Sequence, residues 1–503
     1  MRILIYIEPF PVRQTMDHYR EHAVAFAKML VSQRAADRLT EFDIRIYANR
    51  ETLSHAQEQV LAAKRFLLAP ESREQDQFRA SLTEWPHKGL STWTQLLKGE
   101  GAVTQEYGRI LEQIHSRFAF DVVVTLGENG AAKAFAASAN LDHIVLDLIF
   151  CEPSLFDTAM FDPLGAGGSS VVAQVNVSTI KSIVGKEAWA ANLDQLCTSS
   201  VYAPKLMADS IGAIDFTGQD RVLRQGNART ALICLQSFDD PAFRAHTKFS
   251  SPAHMLEECL PELADNEVLT IVRPPPTATE GLGQAEAMEQ AKQVANEFAD
   301  KAIWLDRRSE RVTDTRLYTL CDLVLTANGS AGFEAMLFDK QVCVFGGAAY
   351  KPIGAFPKLD AVLSRHYDSR TYLKNIAALR AFIIRARFVA CRDAHVFDTF
   401  IDRLQQTLNI WHDCDGSPKQ ALEDIYEHYG APAAGALKDA IDTRTPLERT
   451  SPPIPSTIAP VESGTLKSWN KSVSSLTNRA RQSLGRKILQ TGLTGLPGTG
   501  PLA

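Results

Sequence analysis

Short apolar runs alternate with longer segments of helical spacing through the first third of the chain. The short runs suit buried strands of a parallel sheet, whereas apolar positions three and four residues apart predict amphipathic helices. The predicted strands are residues 2–7, 42–47, 120–125 and 143–148, and the predicted helices are residues 18–30, 51–66 and 106–115. Strands that alternate with helices in this way indicate a doubly wound parallel sheet.

The same alternation restarts near Thr230 and predicts a second sheet. Its strands are residues 231–235, 268–272, 302–305, 323–325 and 342–345, with helices at residues 252–263 and 283–298. The polar residues 219–227 are the predicted linker between the halves. We therefore expect an α/β protein of two Rossmann-like parallel-sheet domains, residues 1–218 and 229–440, followed by a disordered C-terminal tail, residues 441–503.

The composition is that of a globular protein and excludes several classes. Of the 503 residues, 45% are hydrophobic and 22% are charged, and a chain of this length is long enough for two domains. A net charge of -6 argues against a nucleic-acid partner. No apolar stretch is long enough for a signal-peptide core or a membrane span, so a cytoplasmic location is expected. The 8 cysteines include no C-x-x-C pair, which fits a reduced compartment.

The tail has two parts of different character. Residues 443–457 are rich in Pro, Thr and Ser, which is typical of a disordered linker. Residues 466–488 carry apolar residues every three or four positions, with six basic residues and no acidic one. This pattern predicts either a helix on an anionic membrane surface, a helix docked on the body, or a disordered basic tail. The first interpretation would place the protein peripherally at the inner face of the cell membrane.

The stretch from Cys321 to Tyr350 combines a strand, a tight polar turn, a helix and another strand. Asn328, Gly329 and Ser330 form the turn, and the helix is predicted to follow at once. Backbone N–H groups at a helix N-terminus suit a phosphate, and Glu334 one turn further on suits a ribose. The alternative is an ordinary strand–loop–helix link that Ser330 caps.

Several short motifs occur in an order that is typical of one protein family. In the second half of the chain the motifs are Leu235-Gln236-Ser237-Phe238-Asp239-Asp240 and residues 271–276, 328–334 and 346–350. In the first half they are residues 126–130, 146–153 and 161–165. These motifs resemble the bacterial capsule-polysaccharide biosynthesis family, which includes the β-Kdo transferases of capsule and O-antigen assembly. The resemblance implies a GT-B glycosyltransferase that moves a sugar from a nucleotide-sugar donor to a glycan or lipid-linked acceptor of surface polysaccharide.

The resemblance and the predicted strand ends together suggest roles for individual side chains. An inverting transfer needs a base beside the acceptor hydroxyl and dipolar or positive support for the leaving phosphate. The candidate bases, at or near a long loop predicted over residues 150–170 of the acceptor-side domain, are Asp147, Glu152 and Asp162. The candidate nucleotide-sugar-binding residues of the second domain are Gln236, Asp240, Arg273, Asn328, Ser330, Gly332 and Glu334. Structural alternatives remain, such as a helix cap for Asp240 and a surface charge for Arg273.

Two departures from the family pattern keep other functions open. Pro275 stands where relatives carry the His of a His-Pro motif, and Glu152 stands where they carry an Arg. The alternative function is therefore a non-catalytic protein that binds a nucleotide sugar or a glycan in a polysaccharide assembly complex. A sugar-nucleotide epimerase is a third hypothesis, but it needs acids and histidines that the sequence does not place. No cofactor is predicted, and no metal site either, because the H-x-x-E-H match at residues 18–22 has no third ligand.

Overall fold

A computed structural model describes residues 1–10, 17–32, 39–83, 87–148, 158–189, 229–275, 283–305, 317–318, 320–390 and 396–430. These residues form two β-sheets with helices on both faces of each. The predicted fold class, α/β with two Rossmann-like parallel sheets, is confirmed. Glu152, the predicted linker at residues 219–227 and the tail segment 466–488 lie outside the described residues.

The first sheet has seven strands and is mostly parallel. Its strands are Arg2–Tyr6 (β1), Asp43–Tyr47 (β2), Leu67–Leu68 (β3), Val122–Leu126 (β4), Asp142–Asp147 (β5), Thr158–Asp162 (β6) and a later strand, Val389–Ala390. Strand β1 lies between β2 and β4 in parallel register, and β5 continues the parallel pairing beyond β4. Strand β6 runs antiparallel to β5, and Val389–Ala390 runs antiparallel to β6 at the edge of the sheet.

Helices pack against both faces of this sheet because its central strands are buried on both sides. Strand β4 is apolar through Val122, Val123 and Val124, whose side chains alternate between two separate cores. The helices of this region are Asp17–Val31 (α1), Arg50–Gln59 (α2), Ser72–Thr83 (α3), His87–Lys98 (α4), Gly101–Arg117 (α5), Gly130–Ala139 (α6) and Val177–Trp189 (α7), the last interrupted at Gly185. Helix α6 begins where the side chain of Asn129 accepts a hydrogen bond from the backbone N–H of Ala132, a regular N-cap.

The second sheet has five strands, all parallel: Thr230–Cys234 (β7), Leu269–Arg273 (β8), Ala302–Trp304 (β9), Leu323–Thr326 (β10) and Gln341–Val344 (β11). Their order in the sheet is β11-β10-β7-β8-β9, and Val389–Ala390 of the first sheet is β12. The helices are Pro241–His246 (α8), Pro252–Asp265 (α9), Gln284–Glu297 (α10), Ala331–Leu337 (α11), Leu359–Leu363 (α12), Ser369–Phe382 (α13), Val396–Asp413 (α14) and Pro418–Ile425 (α15). Two π-helical turns, Ile383–Arg387 and Tyr426–Gly430, follow α13 and α15.

Two segments cross from one domain to the other. Strand β12 joins the first sheet, and α14 packs Phe400 against Phe26 and Phe161, with ring centroids 5.9 and 5.2 Å apart. In the other direction, Ile180 of α7 is fully buried in the core of the second domain. The boundaries predicted from the sequence, 1–218 and 229–440, do not include this exchange. Helical spacing shows that a face is apolar but not which sheet covers it.

Candidate functional site

The carboxyl ends of the two sheets meet at one place. His246, the last residue of α8, holds its Nε2 atom 3.4 Å from Oε2 of Glu128, which follows β4. Gly347, which follows β11, packs so closely on Gly168 that a Cβ atom at Gly347 would lie 2.5 Å from the Gly168 Cα atom. The strand ends of both domains therefore face each other at one interdomain boundary, the cleft, and open α/β sheets bind ligands at this end of their strands. This arrangement is GT-B-like.

Asp162, a predicted catalytic base, is fully buried and holds a loop. Its carboxylate accepts hydrogen bonds from the backbone N–H groups of Leu164, Gly165 and Val171, at 2.9 to 3.2 Å. Arg387 donates to its Oδ2 atom at 2.7 Å. Burial raises the pKa of the Asp162 carboxyl, while Arg387 and the backbone N–H groups lower it. This set of donors gives Asp162 a structural part at the base of the loop.

Two further carboxylates hold the next residues of the same loop. Glu128 accepts from the N–H group of Ala166 at 2.8 Å, and Asp147 accepts from that of Gly167 at 3.0 Å. Asp147 is the predicted base at the end of β5, and it is 6% exposed. The structure thus places Asp147 and Asp162 at the same loop, but it also gives both carboxylates backbone partners. Glu152 lies outside the described residues.

Glu8 is a further buried acid at this edge that the sequence reasoning did not select. It follows β1, it is 5% exposed, and its carboxylate accepts hydrogen bonds from the N–H of Phe10 and the side-chain amide of Asn129. Burial raises the pKa of Glu8 to about 8, against the opposing effect of the Phe10 N–H group. The sequence signal for Asp147 is an acid at the carboxyl end of a buried strand, and it also applies to Glu8 and Glu128.

In the second domain, Gln236 and Asn328 bind each other across the ends of β7 and β10. The Gln236 amide donates to the Asn328 Oδ1 atom at 2.8 Å and accepts from the Asn328 backbone N–H at 2.9 Å. The Asn328 amide also donates to the carbonyls of Ala242 and Gly347, at 2.7 and 3.1 Å. Asn328 is fully buried, so it orders the loops that border the cleft. Gln236 is half-buried and lies nearer to solvent.

Arg273 and Asp240 lie at the same edge of this sheet. Arg273 ends β8, which neighbours β7, and its guanidinium contacts the Cys234 sulfur at 3.8 Å. It is 9% exposed, so it is a buried cation beside the cleft rather than a surface charge. Asp240 accepts a hydrogen bond from the Phe243 N–H at 3.0 Å and caps α8, which was the structural alternative for this residue.

The helix that follows Ser330 is short, and its residues differ in their accessibility. Helix α11 has seven residues, and the partly exposed Ser330 side chain makes no capping bond. A Cβ atom at Gly332 would lie 2.3 Å from the Tyr350 hydroxyl, so the glycine is needed for packing. Glu334 is 4% exposed and accepts a hydrogen bond from the Tyr318 hydroxyl at 2.9 Å. Among Asn328, Ser330 and Glu334, only Ser330 has a partly exposed side chain.

Within the described ranges, no group of three or more His, Cys, Asp or Glu side chains is arranged to hold a metal ion. No helix in the described part of the chain is both long enough and apolar enough to cross a membrane.

Comparison with known families supports the resemblance that the motifs predict. Residues 190–371 match the family of capsule polysaccharide biosynthesis proteins. The predicted resemblance to this family is therefore confirmed. The matched segment includes β7, β8 and β10, whose ends carry Gln236, Arg273 and Asn328. No curated protein gives a significant match to the chain.

The solved structures that match the chain include two transferases and one UDP complex. The beta Kdo 2,7 transferase of Thermosulfurimonas dismutans KpsC is 11% identical, with a TM-score of 0.31 over 58% of this chain and 90% of that chain. The beta Kdo 2,4 transferase of the same protein is 16% identical, with a TM-score of 0.33 over 52% and 80%. The S. aureus MnaA structure with UDP is 11% identical, with a TM-score of 0.33 over 81% and 97%.

Proposed function

We propose that this chain is a glycosyltransferase that moves a sugar from a nucleotide-sugar donor to a surface-polysaccharide acceptor. The observation that carries the proposal is the family match over residues 190–371, which spans the strand ends that border the cleft on the second-domain side. The donor nucleotide binds at this edge, beside Gln236, Arg273 and Ser330. The acceptor enters from the first domain, over the loop that Asp147, Glu128 and Asp162 hold.

The chemistry of the second-domain edge suits an activated sugar phosphate. Arg273 places a cation within a largely desolvated edge, where its attraction to a phosphate is stronger than in water. Gln236 is fixed by Asn328, so it needs little reordering when the donor binds. Ser330 adds an accessible hydroxyl beside the same strand ends.

A non-catalytic nucleotide-sugar or glycan-binding role is the second candidate. The observation that favours it is Pro275, which takes the place of the family His two residues after β8 and is buried there. Proline has no side-chain donor or acceptor, so this position contributes no hydrogen bond to a donor.

The test is incubation of the full chain with CMP-, UDP- and GDP-sugars, scored by calorimetric binding and by nucleotide release in the presence of glycan acceptors. Binding with acceptor-dependent release supports transfer, and the anomeric configuration of the product tests the predicted inverting course. Binding without release supports the second candidate. A chain that binds none of the donors contradicts the transferase, and one that also fails to bind the glycan acceptors contradicts both candidates.

Ser330→Trp with its control Ser364→Trp tests where the donor binds. Tryptophan at Ser330 would fill the cleft edge and abolish donor binding. Ser364 is exposed and lies near the opposite edge, because the neighbouring Val362 carbonyl accepts from Arg229, which directly precedes β7. The control should therefore bind donor as the wild type does. Equal donor affinity of both variants would move the nucleotide away from Ser330.

A further inference from the structure

The geometry points to Glu128 as the general base of the proposed transfer, positioned by His246 from the opposite domain. This inference rests on the proposed glycosyltransferase function and names a residue pair for it. Glu128 lies in a glycine-punctuated turn, the motif at residues 126–130, and the sequence motifs select neither it nor His246 as a catalytic residue. The two side chains are 8% and 11% exposed, and they come from different sheets.

Glu128 differs from Asp162 and Glu8 in the state of its two oxygens, because both oxygens of those acids accept hydrogen bonds. The carboxylate of Asp162 is occupied by Arg387 and three backbone N–H groups. In Glu128, only Oε2 has partners in the described chain: it accepts a hydrogen bond from the Ala166 backbone N–H and faces His246 Nε2. Among the described residues no hydrogen bond reaches Glu128 Oε1, and this oxygen keeps access to solvent. A general base needs such an oxygen for the proton that it takes.

The local backbone keeps this carboxylate in place. Gly127, with φ +75°, turns the chain after β4, and Asn129 then caps α6. On the other side, a Cβ atom at Gly165 would lie 2.4 Å from the Ser169 Cβ atom and 2.9 Å from Glu128 Oε2, so a larger residue here would push the loop away from the carboxylate. The Glu128 side chain is thus held between a capped helix and the glycine loop, which fixes the direction of Oε1.

In the proposed step, Glu128 Oε1 takes the proton of the acceptor hydroxyl. The acceptor oxygen forms the bond to the anomeric carbon with the electron pair of its O–H bond. The bond from that carbon to the nucleotide phosphate breaks, and the phosphate oxygen leaves with the bonding pair. The proton then passes from Glu128 to solvent after the product leaves.

His246 acts through Glu128, so it is a positioning residue. Its Nε2 atom is buried, has no hydrogen-bond partner in the described part of the chain, and lies 3.4 Å from Glu128 Oε2. A small approach of the two domains would close this gap to a hydrogen bond. Because His246 ends α8 of the donor domain, that bond would orient the base only when the domains are together over the substrates.

The decisive experiment compares Glu128→Gln with Asp147→Asn and the exposed control Glu112→Gln. Glutamine keeps an oxygen that can accept from Ala166, so the loop stays anchored while the basic oxygen is lost. We expect kcat of Glu128→Gln to fall by about two to four orders of magnitude, with unchanged donor affinity. Glu112→Gln should keep wild-type kcat, and Asp147→Asn should lose at least tenfold less than Glu128→Gln.

A pair of His246 variants tests the positioning role. His246→Gln can still donate to Glu128, so it should retain most of kcat, whereas His246→Ala should lose about ten- to a hundredfold in kcat with little change in donor KM. A purely structural histidine would change melting temperature and leave kcat per folded molecule intact. Equal kcat for the Ala and Gln variants would overturn the role of His246.

The outcomes separate this inference from the proposed function. If wild type transfers sugar and Glu128→Gln does so at a normal rate, the inference is overturned and the transferase stands. A larger loss of kcat in Asp147→Asn than in Glu128→Gln would identify Asp147, the residue predicted from the sequence, as the base instead of Glu128. If the wild type transfers no sugar from any donor that it binds, the proposed glycosyltransferase function is wrong, and the assignment of Glu128 as its base is wrong as well.

Discussion

The Asp162–Arg387 ion pair should stabilise the crossing between the two domains. Arg387 ends the π-helical turn after α13, two residues before β12 joins the first sheet. Its Nη2 atom lies 2.7 Å from Asp162 Oδ2, and the two side chains are 3% and 1% exposed. The perturbation is Arg387→Met, which keeps an unbranched side chain of similar reach and removes the charge.

The expected cost follows from which charge is left behind. Removing one partner of a buried ion pair typically costs about 3–5 kcal/mol of unfolding free energy. In Arg387→Met, the Asp162 carboxylate keeps its backbone N–H donors, so we expect about 3 kcal/mol. In Asp162→Asn, the Arg387 guanidinium loses its carboxylate and the loop loses acceptors, so we expect about 4–5 kcal/mol. The double variant should cost about 1–3 kcal/mol less than the sum, because neither charge remains unpaired.

The assay is urea unfolding of the full chain at one pH, followed by circular dichroism. The matched control is Arg2→Met, which breaks an exposed pair with Asp121 at 3.6 Å and should cost less than about 1 kcal/mol. A cost for Arg387→Met that equals the control would refute the reasoning. Strict additivity of the two buried variants would refute it as well, because it would show that the two charges do not interact.

Three further predictions concern packing, pH and the tail. Gly332→Ala should lower the free energy of unfolding in urea by about 1–3 kcal/mol, because its Cβ atom would clash with the buried Tyr350 hydroxyl. The control is Gly108→Ala, whose Cβ atom meets nothing within 4 Å, and it should be neutral or stabilising. Because burial raises the pKa of Glu8 to about 8, the folded state loses stability as pH rises from about 4.5 through 8. Glu8→Gln should flatten that decline. Parallel curves of unfolding free energy against pH for wild type and variant would contradict this prediction. The basic amphipathic segment at residues 466–488 should bind anionic vesicles at low salt, and equal sedimentation of chains with and without the residues after Thr457 would exclude this.

The central strands were predictable from the sequence because they are buried on both faces. Residues 120–125 and 268–272 were predicted as strands, and the structure has Val122–Leu126 and Leu269–Arg273. Strand β6 was missed, since residues 150–170 contain prolines and glycines and indicate a loop. A short antiparallel strand carries no helix behind it, so it lacks the alternation that marks the other strands.

The sequence predicts where the side chains at the strand ends lie, but it does not predict which groups they contact. Parallel strands share one carboxyl edge, so the sequence predicts that Gln236, Arg273 and Ser330 lie together. It does not predict that Asn328 uses its side-chain amide and carbonyl on protein partners. Such contacts depend on the paths of two loops and a helix end that are far apart in sequence.

The motifs of the first domain have a structural meaning that limits what they imply about chemistry. Asp162 and Gly165 of the predicted loop motif and Glu128 of the glycine turn form one unit, in which the carboxylates bind consecutive backbone N–H groups and the glycine allows their approach. A protein that only binds sugars needs the same loop, so these motifs alone do not separate a transferase from a binding protein. The open oxygen of Glu128 has no part in holding the loop. Its replacement by an amide is therefore the change that distinguishes the chemistry from the architecture.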